Sequence, residues 1–323
     1  ILPPLLADLE AAGIRREECW VTNVVPWQPP HNEWALHRPE HVRQGQEELW
    51  KTLRAHGEGK VVLALGNEAF TVCRAERPAV AGTRITEARG YEWEGVGGSR
   101  VLAALHPAGI LREWYPGWPC LLWDTQKATR LSASHSLPKL GSKLGTKAQR
   151  ILELPSASVI ASAKMMSFDI ESSGEGTACR PTCVAIACDA DVGYCVPFEP
   201  WRREIAALLD TRVPKVAHNG QFDVTVLRRH GVPVRNWTHD TMLLWHAHEP
   251  MLAGKQEGKG KRTRKSLAFL ASLLTDEPYW KDYEFVSEEE RWTLCAKDAR
   301  ITWECADVLL KRAKPWRAPD EPK

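Results

Sequence analysis

What this chain has little of narrows it before any motif is read. Its 323 residues contain no run of about 18 apolar residues, so no helix of membrane-crossing length is expected. No charged start leads into an apolar segment with a cleavage site, which argues against secretion. A surplus of one charge is missing too: 43 Lys and Arg stand against 41 Asp and Glu, a formal net charge of +2, so any footprint for nucleic acid has to be local. The nine cysteines are odd in number and contain no C-x-x-C pair; Cys179, Cys183, Cys188 and Cys195 are their one cluster. Such spacings make no disulfide framework and fit a reducing compartment. A structural metal is not expected there, because zinc sites use paired short spacings. Ile1 in place of an initiator methionine fits a piece of a longer product.

The length suffices for two domains. In residues 1–124, Trp20 to Val25 and Val61 to Leu65 are short apolar runs ending in turn chemistry, as buried strands do. Leu5 to Ala12, Glu40 to His56 and Glu68 to Arg74 have helical spacing, and the alternation predicts an α/β layer with a mostly parallel sheet. Residues 125–157 begin with TQKATRLSASHSLPKLGSKLGTKAQR, which contains no acid and reads as a basic linker, either tracking phosphates or simply solvated. Residues 158–314 place strands at Met165 to Ile170, Cys183 to Cys188 and Gly193 to Phe198 ahead of helices at Glu204 to Leu209, Asp223 to His230, Thr241 to His248, Ser266 to Leu274 and Glu288 to Lys311. Strands first and helices afterwards predict a mixed sheet covered by helices, with 315–323 as a tail.

Within that second region, SFDIESSG sets Asp169 and Glu171 two residues apart on a strand-like run. Side chains at i and i+2 share a face, so two like charges project side by side, tolerable where a hard divalent cation sits between them or where the strand end is merely solvated. In KVAHNGQFDVTVLRRHG a short strand, Val213 to Ala217, runs through a turn at His218, Asn219 and Gly220 into a helix carrying Asp223 in its first turn, where a carboxylate could also be a capping group. In LCAKDARITWECADVLL helical periodicity puts Asp298 on a largely apolar stripe, where an unpaired carboxylate is costly.

These stretches together resemble the DEDD family of 3′–5′ exonucleases, and within it the proofreading domain of family A DNA polymerases. FDIES is similar to the first motif, D-x-E; HNGQFD to the second, with Asn219 and Asp223; AKDA to the third, with Asp298. HDTMLLWHAHEP and KSLAFLASLLTDEPYWKD resemble the stretches that connect motifs two and three. The resemblance implies a ribonuclease H-like fold and two divalent cations, Mg²⁺ or Mn²⁺, held by Asp169, Glu171, Asp223 and Asp298 for hydrolysis of a phosphodiester. It also implies a cytoplasmic protein of a bacterial or phage-infected cell, single-stranded DNA 3′ ends as partner, and a polymerase domain or subunit nearby. Phe222, Trp245 and Trp292 are candidates either for stacking on a terminal base or for the core. The segment GKQEGKGKRTRKS, residues 254–266, carries Lys261, Arg262, Arg264 and Lys265 and is either a phosphate contact or a solvated insertion. His246 and His248 lie in a helical stretch and diverge there, so no metal is expected on them.

One departure concerns the attacking water. The family's third motif carries a tyrosine four residues before the aspartate, or a histidine five before it; here Leu294 and Thr293 stand there. Neither is a general base, a group that contributes about 10²–10⁴-fold. Weakened hydrolysis, or a domain that only holds DNA, is the expectation.

Upstream, WVTNVVPWQPPHNEW, VVLALGNEAF and LHPAGILREW put an amide, Asn23, and an imidazole, His106, at expected strand ends, where open α/β sheets bind ligands or merely turn. These stretches resemble the later motifs of the uracil-DNA glycosylase superfamily, family 4 type, which implies that Asn23 reads a flipped uracil and His106 stabilises the departing base. The first motif of that family would precede Ile1, and Trp27 stands where a cluster cysteine is expected, so no iron–sulfur cluster is expected and uracil excision is the third-ranked activity.

Overall fold

The computed structural model describes residues 15–75, 85–113, 117–133, 147–253, 264–278, 280 and 286–312, together with residue 10. The fold class is α/β with mixed sheets, and the chain divides into two compact units, 1–141 with 276–279, and 142–275 with 280–323. Among the described residues no helix is long and apolar enough to cross a membrane.

The first unit is built on a three-stranded sheet of order β1-β3-β2, from β1 (Val61–Leu65), β2 (Glu92–Glu94) and β3 (Arg100–Ala104). β1 and β3 are parallel, and β2 joins β3 antiparallel. Helix α1 (Pro39–His56) lays Leu49 and Leu53 on Val101, Ala103 and Phe70, the last from α2 (Asn67–Cys73). After α3 (Ile85–Ala88) and α4 (Pro107–Glu113), α5 (Trp118–Ala133) buries Asp124 and Lys127. Asp124 meets Arg89 through paired contacts from Nε and Nη2 of the guanidinium, and Lys127 Nζ donates to the Gly90 carbonyl at 2.9 Å.

Two expectations are corrected here. Trp20 to Val25 does not form a strand: Trp20 is 62% exposed, and only Val24 and Val25 are buried, packed with α1. The linker expected over 125–157 also differs, since 125–133 is the second half of α5, with Thr125, Lys127 and Ala128 buried. The basic composition hides the helix because Lys127 directs its charge into the unit and not into solvent. Residues 134–146 lie outside the described residues, as does the helix expected at 5–12 apart from residue 10.

The second unit holds a six-stranded sheet of order β4-β7-β6-β5-β8-β9. Its strands are β4 (Ala148–Ile151), β5 (Met166–Ser173), β6 (Arg180–Ala187), β7 (Val192–Pro197), β8 (Lys215–Ala217) and β9 (Trp237–Asp240). β6 is antiparallel to both neighbours, while β4 with β7, β5 with β8 and β8 with β9 are parallel, so β6 alone is reversed. This mixed sheet agrees with the ribonuclease H-like expectation. One face, carrying Phe168, Ile170, Val184 and Ile186, packs on α7 (Phe198–Leu209) and α8 (Gln221–Arg229). The other, carrying Cys183, Ala185 and Cys195, packs on the long helix α12 (Glu288–Arg312). Gly193 permits that approach: a Cβ there would lie 2.2 Å from the Ala296 carbonyl oxygen. The remaining helices are α6 (Ala157–Ser162), α9 (Thr241–His248), α10 (Pro250–Ala253) and α11 (Leu267–Leu274).

Candidate metal and nucleic-acid site

The pleat of β5 separates FDIES into two roles. Phe168 and Ile170 enter the apolar core, and Asp169 and Glu171 project from the opposite face, half-buried. Asp169 pairs with Ala185 and Glu171 with Cys183 across the β5–β6 ladder, and a β-bulge follows at once, where the register shifts between Glu171 and Ser172. Bulges re-aim side chains at strand ends, and this one sits beside the acidic pair.

Asp223 joins them from the first turn of α8. Its Oδ1 accepts a hydrogen bond from the Ile170 amide, the peptide between the two β5 carboxylates, at 3.2 Å. Burial, together with the charges of Asp240 and Glu171, pushes the Asp223 carboxyl up to about 7 from 3.8, against the lowering pull of backbone hydrogen bonds. A carboxyl raised mainly by burial, with other carboxylates close by, is one whose ionised form a divalent cation would favour. Asp298 is buried on α12, and its Oδ1 accepts from Trp280 Nε1 at 2.7 Å. Its neighbour in sequence, Ala299, accepts from Ser167 Oγ through its carbonyl at 2.6 Å, which fixes α12 against β5.

The turn that delivers Asp223 is held by Asp240, which sequence reasoning did not single out. The Asp240 carboxylate accepts from the Asn219 and Gly220 amides at 3.1 and 2.9 Å and caps α9 by accepting from Met242 and Leu243. Asn219 takes a left-handed backbone (φ 56°), which asparagine tolerates. Gly220 is required by contact, since a Cβ would lie 2.5 Å from that of Ala217. An N-cap signal was legible in HDTMLL; that the same carboxylate ties the 218–220 turn was not, because the two segments meet only through parallel pairing of β8 and β9.

The aromatic candidates separate. Phe222 is 48% exposed beside Asp223, and Trp292 is half-buried against the thiol-lined core. Trp245 is fully buried, packs edge-on against Phe269 and donates Nε1 to the Arg264 carbonyl, so it is core. Lys261 and Arg262 lie outside the described residues; Arg264 and Lys265 are half-buried at the entrance to α11. At the place of the water-orienting group, Thr293 donates its hydroxyl to the Glu289 carbonyl within α12, and Leu294 offers no polar atom.

The cysteine cluster read from sequence divides between the two faces of the sheet. Cys179 and Cys188 enter the core under α7 and α8, whereas Cys183 and Cys195 meet Cys295 of α12. The three sulfurs lie within 4.8 Å of one another, and their mutual interaction holds Cys183 below the ordinary thiol range while it and burial push Cys195 and Cys295 up.

In the first unit, His106 follows β3 and accepts the Ala108 amide on Nδ1 at 3.1 Å, and a Cβ on Gly66, just past β1, would lie 3.1 Å from the His106 Cβ. The imidazole therefore stands at the carboxyl ends of the two parallel strands. Asn23 is exposed in a segment that is not a strand, which corrects its expected place at a strand end.

Residues 2–128 match the model of the Uracil DNA glycosylase superfamily. Solved structures similar to the chain include NrnC of Brucella melitensis bound to pGG (16% identity, 52% of this chain and 82% of that one, TM-score 0.39). The catalytic core of RRP6 from Trypanosoma brucei is similar at 15% identity, covering 53% and 49%, with a TM-score of 0.36. The POL domain of Pol1 from M. smegmatis, in complex with DNA primer-template and dNTP, is similar at 16% identity and a TM-score of 0.37; the match spans 51% of this chain and 27% of the polymerase.

Proposed function

We propose that the second unit is a divalent-metal-dependent exonuclease that removes nucleotides from the 3′ ends of DNA, and that the glycosylase-like first unit serves as a DNA-binding module. The observation that carries the reading is the seat of Asp223, bonded to the amide between Asp169 and Glu171, with its carboxyl raised by burial first and by the nearby Asp240 and Glu171 after it. Asp169, Glu171, Asp223 and Asp298 would hold the cations, whose chemistry is to acidify water and offset phosphate charge. The chain's own part is positional. β5 carries two of the carboxylates on one face, Asp240 holds the turn that leads to the third, and the fourth lies on α12, a helix that packs on the same sheet. Phe222, exposed next to Asp223, would stack on a terminal base near Asn219, and Lys261, Arg262, Arg264 and Lys265 would supply charge for the strand's phosphates.

The test is degradation of a 5′-labelled single-stranded oligonucleotide with Mg²⁺ or Mn²⁺, comparing the parent with Asp169→Ala. A ladder shortening from the 3′ end that vanishes in the variant and in excess EDTA supports the reading; shortening that survives EDTA overturns it. A second reading, a domain that holds DNA without turnover, is favoured by Thr293 and Leu294, which leave no general base one turn before Asp298. Salt-sensitive binding without any ladder would establish it. Uracil excision by Asn23 and His106 ranks third, and release of free uracil from a uracil-containing oligonucleotide is its assay.

A further inference from the structure

The face of the sheet that presents Asp169 also gathers three thiols from distant parts of the chain. Cys183 on β6, Cys195 on β7 and Cys295 on α12 are buried, and their sulfur atoms all lie within 4.8 Å of one another. Cys295 Sγ is 3.6 Å from Asp169 Oδ2, and Cys183 stands directly across the ladder from Glu171. Tetrahedral zinc, with sulfur at about 2.3 Å and carboxylate oxygen at about 2.0–2.2 Å, separates its ligand atoms by roughly 3.5–3.8 Å. The carboxylate-to-thiol distance already has that value, and the thiols need to contract by at most about an ångström to reach it. The surroundings are Ala185, Ala296 and Ala299, small side chains that leave the sulfurs facing one another.

We propose that Cys183, Cys195, Cys295 and Asp169 form a site for a thiophilic divalent cation of the zinc class, with three sulfurs and one carboxylate oxygen. Thiolates select soft and borderline ions over magnesium, so this site differs in chemistry from the oxygen-lined one beside it. Asp169 belongs to both. Resting on the exonuclease reading, the consequence is regulatory: a thiol-held ion draws the Asp169 oxygen towards α12 and opposes its service to Mg²⁺ or Mn²⁺.

The test uses Co²⁺ as the probe on the full chain, reduced and freed of metal. One equivalent is expected to give sulfur-to-cobalt charge-transfer absorption and the visible bands of tetrahedral cobalt, both bleached by Zn²⁺. The Cys183→Ala/Cys195→Ala variant, checked for cooperative unfolding, is expected to lose the charge-transfer band, and Asp169→Asn to keep it while binding more weakly. No charge-transfer band in the parent overturns the proposal, leaving three packed thiols; an unchanged band in the double variant overturns it by placing the ion on other cysteines. These spectra need no oligonucleotide, so they decide the site even if the nuclease reading fails. Zinc inhibition of shortening, scored against each variant's own zinc-free rate, is expected to be lost in the double variant, and its persistence would sink the regulatory part alone.

Discussion

Burial beside Asp240 and Glu171 leaves Asp223 with a carboxyl near 7, and the sign of its effect on stability follows. The folded chain holds a proton between about pH 4 and 7 that the unfolded chain, at 3.8, has released. Its contribution to stability is therefore complete below about pH 4 and is lost as the pH rises through about 7. A divalent cation works in the opposite sense by favouring the ionised form. In EDTA the melting temperature is expected to fall from pH 5 to pH 8, Mg²⁺ is expected to recover it at pH 8, and Asp223→Asn is expected to flatten both responses. Thermal denaturation at the two pH values, with and without Mg²⁺, checks this, and a parent indifferent to Mg²⁺ at pH 8 would count against the assignment. Asp240 acts through geometry instead. Asp240→Ala strips an acceptor from the Asn219, Gly220, Met242 and Leu243 amides and is expected to cost about 1–3 kcal/mol, measurable by urea unfolding.

At the scale of elements, α12 depends on how closely β7 lets it approach. Gly193→Ala would set a methyl against the Ala296 carbonyl, and overpacking of this kind costs about 1–3 kcal/mol, to be read as a lower melting temperature. The same elements show what was legible in the sequence. β5, β6 and β7 were readable because their apolar runs alternate or are uniformly buried, and the shared face of Asp169 and Glu171 came directly from the period of two. β4 and β9, with the sequences AQRI and WTHD, carry too little apolar pattern to announce a strand. β3, RVLAA, is fully buried yet too short to distinguish from a helical turn. Trp20 to Val25 failed in the other direction, an apolar run left largely in solvent because only Val24 and Val25 find α1. Cys295 was not legible as a partner of Cys183 and Cys195, since spacing says nothing about which helix will lie across a sheet.

At the scale of the molecule, each unit has a core of its own, and the first is pinned by charge as well as by apolar packing. Asp124→Ala would leave the buried Arg89 guanidinium without its paired carboxylate, and removing one partner of a buried ion pair costs about 3–5 kcal/mol. Calorimetry is expected to show the loss in the transition of the first unit. The net charge of +2 predicts little affinity for polyanions from the chain as a whole, so DNA binding has to draw on local surpluses such as that in 254–266. Replacing Lys261, Arg262, Arg264 and Lys265 by alanine is expected to weaken binding and to lower the slope of log affinity against log salt by about one for each phosphate that is no longer neutralised.

Ser167 on β5 bonds to Ala299 across 132 residues of chain, and the Trp303 indole reaches the Met165 carbonyl across 138. Closure of the sheet by α12 is thus a matter of high contact order: the loop entropy of more than a hundred residues is given up before that face is covered. Asp298 and Cys295 are carried by this same helix, so the proposed oxygen and sulfur sites can be completed only once α12 has closed over the sheet.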